Sequence, residues 1–116
     1  MSSAPRLMEA ESLRRRTGGS PLFEGADHGG VAVSVFMVDA APGEGPRLHR
    51  HPYDEVFILH DGEATFTVGD ESLLAHGGQV VVGPREVPHK FRNSGSGRLR
   101  MTSIHPSQRV ITEWLE

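Results

Sequence analysis

Short apolar or alternating segments follow one another along the chain from about residue 31, each bounded by glycine, proline or asparagine. The first of them, residues 31–38, is rich in β-branched side chains and predicts a largely buried strand. The same pattern predicts further strands over residues 55–59, 63–68, 72–76, 79–82, 90–92 and 98–104. Turn signals at this spacing are typical of a β-sandwich or β-barrel, so we expect an all-β fold.

The dipeptide Asp61-Gly62 separates two of these predicted strands. Asp-Gly favours a two-residue hairpin turn, because glycine tolerates the positive φ that such turns require. We therefore expect residues 55–59 to pair antiparallel with residues 63–68.

The two ends of the chain carry weaker patterns. Residues 1–20 are polar and irregular, and they predict an N-terminal arm with disordered first residues and a short strand or arm around residues 7–13. Residues 110–115 are mildly apolar and predict either a last strand or a helical turn. We expect one β-barrel domain over residues 21–116, preceded by the arm.

Composition and charge narrow the possible chemistry. The chain has 116 residues, no cysteine and a formal net charge of -3. The lack of cysteine excludes disulfides, iron–sulfur clusters and a thiol nucleophile, so any metal must be held by nitrogen and oxygen. Charges of both signs are scattered, which argues against nucleic-acid binding, and no apolar run approaches the roughly 18 residues of a membrane span. We expect a cytoplasmic protein without nucleic-acid or membrane partners.

The chemically most informative stretch contains two histidines one residue apart, His49 and His51, followed by Glu55. On a strand, side chains at every second position share a face, so one continuous strand would turn all three to the same side. His89 begins a separate predicted β segment, and an adjacent antiparallel strand would bring it beside the others. Three imidazoles and a carboxylate are typical ligands of a transition metal.

These residues also fit a family motif. The first cupin motif consists of a glycine, five residues, His-x-His, three residues, a glutamate, six residues and a glycine. This chain matches every fixed position. The matching residues are Gly43, His49, His51, Glu55 and Gly62. This stretch therefore resembles the cupin superfamily.

The second cupin motif is matched at four of its five fixed positions, by Gly78, Pro84, His89 and Asn93. Glu86 stands where the family usually has glycine. Glycine there would permit a positive φ that glutamate resists, so the motif leaves the exact turn after Pro84 open.

The resemblance implies a single cupin barrel, a jelly-roll-like fold of two sheets, in a small single-domain protein. It also implies one divalent first-row transition metal, which could be Fe, Mn, Ni, Co, Cu or Zn. The implied ligands are His49, His51, Glu55 and His89. On a metal that prefers five or six ligands, one or two positions would remain open to substrate, water or dioxygen.

Several other residues are candidates for a substrate pocket. Arg47 shares the parity of His49 and would pair with a substrate carboxylate if it points inward, although an exposed arginine is an equal alternative. His105 follows residues 98–104 with the parity of Leu99, Met101 and Ser103, and it could line the barrel mouth. The remaining wall candidates, which could equally be plain core, are Phe36, Tyr53, Phe57, Phe66, Phe91 and Met101.

The expected function is that of a small metalloenzyme acting on a small organic metabolite by dioxygenase-type or isomerase/cyclase-type chemistry. The alternative is a metal-dependent cupin that binds a small ligand without turnover. The chain lacks the motifs of hydrolase triads and of nucleotide-binding loops. The resemblance further implies a homodimer, formed by sheet packing or by exchange of the N-terminal segment.

Overall fold

The computed structural model describes residues 4–116, and this part of the chain is built almost entirely from β-strands. Two short 3₁₀ turns occur, at Ala10–Leu13 and Gly25–Asp27. In chain order the strands are β1 Leu22–Glu24, β2 Ser34–Ala40, β3 His49–Arg50, β4 Glu55–Asp61, β5 Glu63–Val68, β6 Glu71–His76, β7 Val80–Gly83, β8 His89–Asn93, β9 Leu99–His105 and β10 Glu113–Trp114.

The strands form two five-stranded sheets. The first sheet has the order β1-β2-β9-β4-β7 and the second has the order β10-β3-β8-β5-β6. All recorded pairings are antiparallel. The two sheets enclose one core in a jelly-roll-like barrel, which confirms the predicted all-β, double-sheet fold.

The predicted hairpin between β4 and β5 is wrong. β4 pairs with β7 and β9 in the first sheet, whereas β5 pairs with β6 and β8 in the second. The inward faces of β4 and β5 pack against each other across the core, where the rings of Phe57 and Phe66 lie 5.0 Å apart. Gly62 makes the crossover with φ 92, and a Cβ there would lie 2.6 Å from the Arg98 carbonyl oxygen.

Polarity changes along the barrel interior. On β9 the buried side chains are apolar at Leu99 and Met101 and polar at Ser103 and His105, while Arg100 is exposed. This alternation confirms the predicted inward parity of the strand. On antiparallel β4 the polar residue, Glu55, comes first. The polar side chains of both strands therefore meet at the same end of the barrel.

The chain ends differ in how far they follow the predictions. Around residues 7–13 the structure has a 3₁₀ turn rather than a strand, because Ser12 and Arg14 bond back to Glu9 and Glu11 within the turn. The disorder predicted for the first residues lies outside the described part of the chain. The tail forms a strand, since β10 pairs with β3. Within residues 4–116 no helix has the length and apolar character of a membrane span.

Candidate metal centre

Both sheets contribute to a cluster of three histidines and one glutamate. His49 lies in β3, His51 directly follows that strand, Glu55 begins β4 and His89 begins β8. The prediction that one unbroken strand runs from His49 to Glu55 is wrong, because the chain bends at Pro52 and crosses between the sheets. The prediction that an adjacent antiparallel strand brings His89 beside His49 is confirmed, since the two residues pair across β3 and β8.

The cluster is buried and compact. The four residues expose between 1% and 7% of their surface. One nitrogen or oxygen atom from each lies within 4.8 Å of the corresponding atoms of the other three. A group of this size can surround a single metal ion, and its donor atoms suit a first-row divalent cation.

Backbone carbonyls fix the orientation of the three imidazoles. His49 Nδ1 donates to Arg47 O at 2.7 Å, and His51 Nδ1 donates to Ile111 O at 2.7 Å. His89 Nδ1 donates to Val87 O at 3.2 Å. A carbonyl can only accept, so each neutral ring carries its proton on Nδ1 and keeps a lone pair on Nε2. This is the arrangement in which metal-bound histidines are usually held.

Nε2 of His51 and Nε2 of His89 converge on one carboxylate oxygen, and the His89 contact has hydrogen-bond geometry. Glu55 Oε1 lies 3.0 Å from Nε2 of both His51 and His89. The His51 contact is not aligned as a hydrogen bond, and Nε2 is the one buried side-chain nitrogen or oxygen in residues 4–116 without a hydrogen-bond partner. A nitrogen lone pair that faces a carboxylate oxygen, as on Nε2 of His51, is repelled by it unless a cation lies between the two atoms. The residues present therefore fit a divalent metal.

Electrostatics at the centre favour an ionised Glu55. Burial raises the pKa of this carboxyl, but contacts from His105, His51 and His89 lower it by more, so the pKa lies well below its usual range. Burial lowers the pKa of His49. Burial also lowers the pKa of His51, yet Glu55 and the Ile111 carbonyl raise it by more. A metal binds each ring through a nitrogen lone pair, and with three neutral rings the ionised Glu55 would leave a negative site that a divalent cation neutralises.

The turn after Pro84 has a positive φ at the position where the motif usually has glycine. Glu86 adopts φ 64 and is the only non-glycine residue with positive φ among the described residues. Its amide donates to His51 O at 2.8 Å. Glutamate accepts the strained conformation, and the hydrogen bond helps to hold the backbone of His51.

A cavity of about 430 Å³ opens onto the cluster. Of the residues predicted to line a pocket, Phe36, Phe57, Phe91 and His105 lie in its wall. Four others do not. Arg47 is exposed, with its guanidinium 5.3 Å from the centre of the Trp114 ring, and Met101 is buried in the apolar core. Tyr53 stacks on His51 and bonds to His105 behind the cavity wall, whereas Phe66 belongs to the core.

The structure adds residues for which the sequence suggested no role. Ser103, Trp114 and Arg16 border the cavity. The Ile111 backbone donates to the Tyr53 hydroxyl and accepts from His51. The inward parity of Ser103 was a usable signal. No signal could have identified Ile111, because every residue other than proline carries the same backbone groups.

A barrel of two antiparallel sheets with three histidines and a glutamate at one end defines a class of metal-site barrels. The family model described as "Cupin domain" matches residues 36–105. The protein therefore belongs to the cupin family, as the two sequence motifs predict.

Individual relatives cover different parts of the chain. "Auxin-binding protein 5" of Zea mays is 39% identical over 67 residues, which are 58% of this chain and 41% of the relative. "Protein SchB" of Streptomyces halstedii is 33% identical over 94 residues, covering 75% of this chain and 65% of the relative. The chain thus spans less than two thirds of the length of either relative.

Solved structures support the fold. Oxalate decarboxylase of Bacillus subtilis, studied for its Mn(II) centres, superposes with a TM-score of 0.79 and 20% identity. The match covers 90% of this chain and 30% of that chain. At this identity the likeness extends to the fold alone.

Proposed function

We propose that the protein is a metal-dependent cupin that acts on a small organic molecule. One divalent first-row metal would be held by Nε2 of His49, His51 and His89 and by Oε1 of Glu55. The observation that carries this proposal is the convergence of Nε2 of His51 and Nε2 of His89 on one carboxylate oxygen of Glu55, with His49 in the same buried cluster. This donor set suits Fe, Mn, Ni, Co, Cu and Zn.

The cavity supports a substrate with an apolar body. Aromatic and aliphatic side chains form much of its wall, among them Phe36, Val38, Phe91 and Trp114. Such walls enclose flat or aliphatic groups, while the polar end beside Glu55 suits an oxygen donor. When bound, the metal would supply a Lewis acid or a site for dioxygen activation.

Arg16 supports an anionic group at the other end of the substrate. It borders the cavity, and it has no ion-pair partner among residues 4–116. A guanidinium binds a carboxylate through two parallel hydrogen bonds. We therefore favour a small organic acid with an apolar body.

Within this proposal we favour turnover by dioxygenase-type or isomerase/cyclase-type chemistry. Tyr53, His105 and Ser103 form a hydrogen-bonded chain that reaches Glu55, so groups able to hold or move a proton lie next to the cavity. The fold of an oxalate decarboxylase supports an enzyme. The alternative is a binding module without turnover, which the name of the maize auxin-binding relative supports.

Metal analysis tests the first part of this proposal. Untagged protein should contain about one first-row metal per chain by elemental analysis, or should take up one equivalent in titration. His51→Ala should abolish this uptake, whereas His60→Ala is a matched control, since exposed His60 bonds to Thr102 and lies outside the cluster. Full uptake by the His51 variant would refute the ligand assignment.

Turnover and binding are separated by incubating metal-loaded protein with a mixture of small organic acids under air. Consumption of one acid by the wild type and not by His51→Ala would support the enzyme. A stoichiometric ligand recovered unchanged would favour the binding module. An acid that binds Arg16→Ala as tightly as the wild type would contradict the role of Arg16.

We further propose a cytoplasmic homodimer in which residues 21–116 form the barrel domain and residues 1–20 an arm. Apolar side chains exposed at one edge of the barrel support association, with Leu74, Val80 and Val82 exposing 68%, 59% and 54% of their surface. Leu7 in the arm exposes 93%. Light scattering should give twice the chain mass, and a monomer at high concentration would refute the dimer.

A further inference from the structure

The two oxygens of Glu55 lie in different surroundings. Oε1 faces Nε2 of His51 and His89 at 3.0 Å. Oε2 accepts a hydrogen bond of 2.5 Å from Ser103 Oγ and lies 3.1 Å from His105 Nε2. One oxygen therefore faces the histidine cluster, and the other is held by Ser103 and His105.

The direction of the hydrogen bonds on the Oε2 side follows from their partners. The Ile111 amide donates to Tyr53 Oη at 3.1 Å, and Tyr53 Oη lies 2.7 Å from His105 Nδ1. The hydroxyl proton of Tyr53 has His105 Nδ1 as its acceptor, so the neutral His105 ring carries its own proton on Nε2. Nε2 then donates to Ser103 Oγ at 2.9 Å, and Ser103 donates to Oε2.

This chain of donors gives His105 the opposite tautomer from His49, His51 and His89. Its Nε2 is a donor and is not available to a metal. The ring is 1% exposed and packs edge-on against the rings of His51 and Phe36, at centroid distances of 4.8 Å and 5.6 Å. His105 is thus fixed beside the cluster without belonging to it.

We propose that Ser103 and His105, oriented by Tyr53, are positioning residues that hold Glu55 as a ligand through Oε1 alone. This inference rests on the proposed metal site. A carboxylate whose second oxygen lacks donors can turn and bind a metal through both oxygens, which occupies one more coordination position. By engaging Oε2, the chain from Tyr53 to Ser103 keeps that position free on the side of the cavity.

The test uses Co²⁺ as the metal probe and azide as the probe of the open position, both followed by visible absorption. The wild type should bind about one Co²⁺, and azide should change its spectrum. Ser103→Ala should still bind Co²⁺ but should bind azide about 10-fold more weakly. Ser103→Thr, which keeps the hydroxyl, should restore azide affinity.

A matched control separates this role from the loss of any buried hydroxyl. Ser34 is fully buried and pairs with His105 across β2 and β9, but its Oγ bonds to Ser107 O. Ser34→Ala should bind azide like the wild type. Tyr53→Phe removes the hydroxyl that sets the His105 tautomer, and it should also weaken azide binding. If Ser103→Ala does not fold, the azide affinity of Tyr53→Phe tests the positioning role instead.

The outcomes are distinguishable. Equal azide affinity of Ser103→Ala and the wild type would overturn the positioning role while leaving the metal site intact. A Co²⁺-loaded wild type whose spectrum ignores azide would also overturn it, because no position is then open. Failure of the wild type to bind Co²⁺ would overturn the proposed function itself.

Discussion

Two buried glutamates, Glu24 and Glu55, are held by different kinds of partner. Glu24 ends β1, is 6% exposed and pairs with Arg15 and Arg109, which belong to segments on either side of the barrel strands. Its Oε2 also accepts from the Val110 amide at 2.9 Å. Glu55 is 3% exposed, and the basic side chains within 4 Å of its carboxylate in residues 4–116 are all histidines.

This difference separates a structural site from a metal site. Arginines are always charged, so the Glu24 carboxylate is neutralised as soon as the chain folds. Imidazoles that carry their proton on Nδ1 bring no charge to Glu55 and leave lone pairs directed at it. Glu24 therefore joins two segments of the chain, whereas Glu55 is completed by a cation.

The largest effect expected from this comparison is the loss of metal binding in Glu55→Gln. A neutral amide removes the charge that attracts the cation, and metal affinity should fall by more than the roughly 100-fold limit for residues that only support a ligand. Isothermal titration with Mn²⁺, Co²⁺ and Zn²⁺ measures the change. Glu24→Gln is the matched control and should titrate like the wild type. Equal loss in both variants would remove the distinction between the two sites.

Glu24→Gln should instead reduce the stability of the metal-free protein. The change leaves Arg15 and Arg109 without their buried partner, although both are about half exposed and screened by water. We expect a loss of about 1–2 kcal/mol in the free energy of unfolding. Urea unfolding measures it. A variant as stable as the wild type would show that Glu24 does not fasten the two segments.

Acid should affect the two glutamates in different pH ranges. Metal binding requires neutral imidazoles, so affinity should decrease as the pH falls below about 6. Burial raises the pKa of Glu24, but the Val110 amide and Arg15 lower it by more. Its contribution to stability is therefore complete above the ordinary carboxyl pKa of about 4.3 and is lost as the pH falls through the lowered folded-state value.

Metal content and unfolding free energy, measured on the same samples from pH 7 to pH 3, check this order. Metal should leave first, and the Glu24 contribution to stability should be lost afterwards. Simultaneous loss of metal and folded structure near pH 6 would contradict independent sites.

The smallest expected effect concerns backbone strain at Glu86, which lies beside the metal cluster and not beside Glu24. Glu86, next to the His51 backbone, holds a left-handed conformation that costs a non-glycine residue about 1–2 kcal/mol. Glycine relieves this cost but loses about 0.5–1 kcal/mol to chain entropy. Glu86→Gly should therefore raise the free energy of unfolding by up to about 1 kcal/mol, measured by urea unfolding. A destabilised variant would show that the Glu86 side chain contributes more than its strain costs.

Spacing along the chain was sufficient to predict the four clustered residues. His49, His51, Glu55 and His89 follow from two motifs, and the inward parity of Ser103 and His105 follows from alternation along β9. The inward parity along β9 depends on local periodicity, which a strand preserves in three dimensions. The cluster draws on three strands in two sheets, so it follows from the family motifs and not from periodicity.

Properties that depend on distant partners could not be predicted in the same way. Asp61-Gly62 indicates a reversal of the chain, but whether β4 and β5 share a sheet depends on core packing between Phe57 and Phe66. The support that the Ile111 backbone gives to His51 and Tyr53 has no sequence signature. The Glu24 ion pairs join residues far apart in the chain and follow from no local pattern.

The most direct test of the account is anomalous diffraction from crystals grown with one equivalent of Mn²⁺ or Co²⁺. We predict one strong peak about 2.0–2.2 Å from Nε2 of His49, His51 and His89 and from Oε1 of Glu55, with Oε2 still bonded to Ser103. A peak at another group of residues, or none at these four in protein that takes up metal in solution, would contradict it.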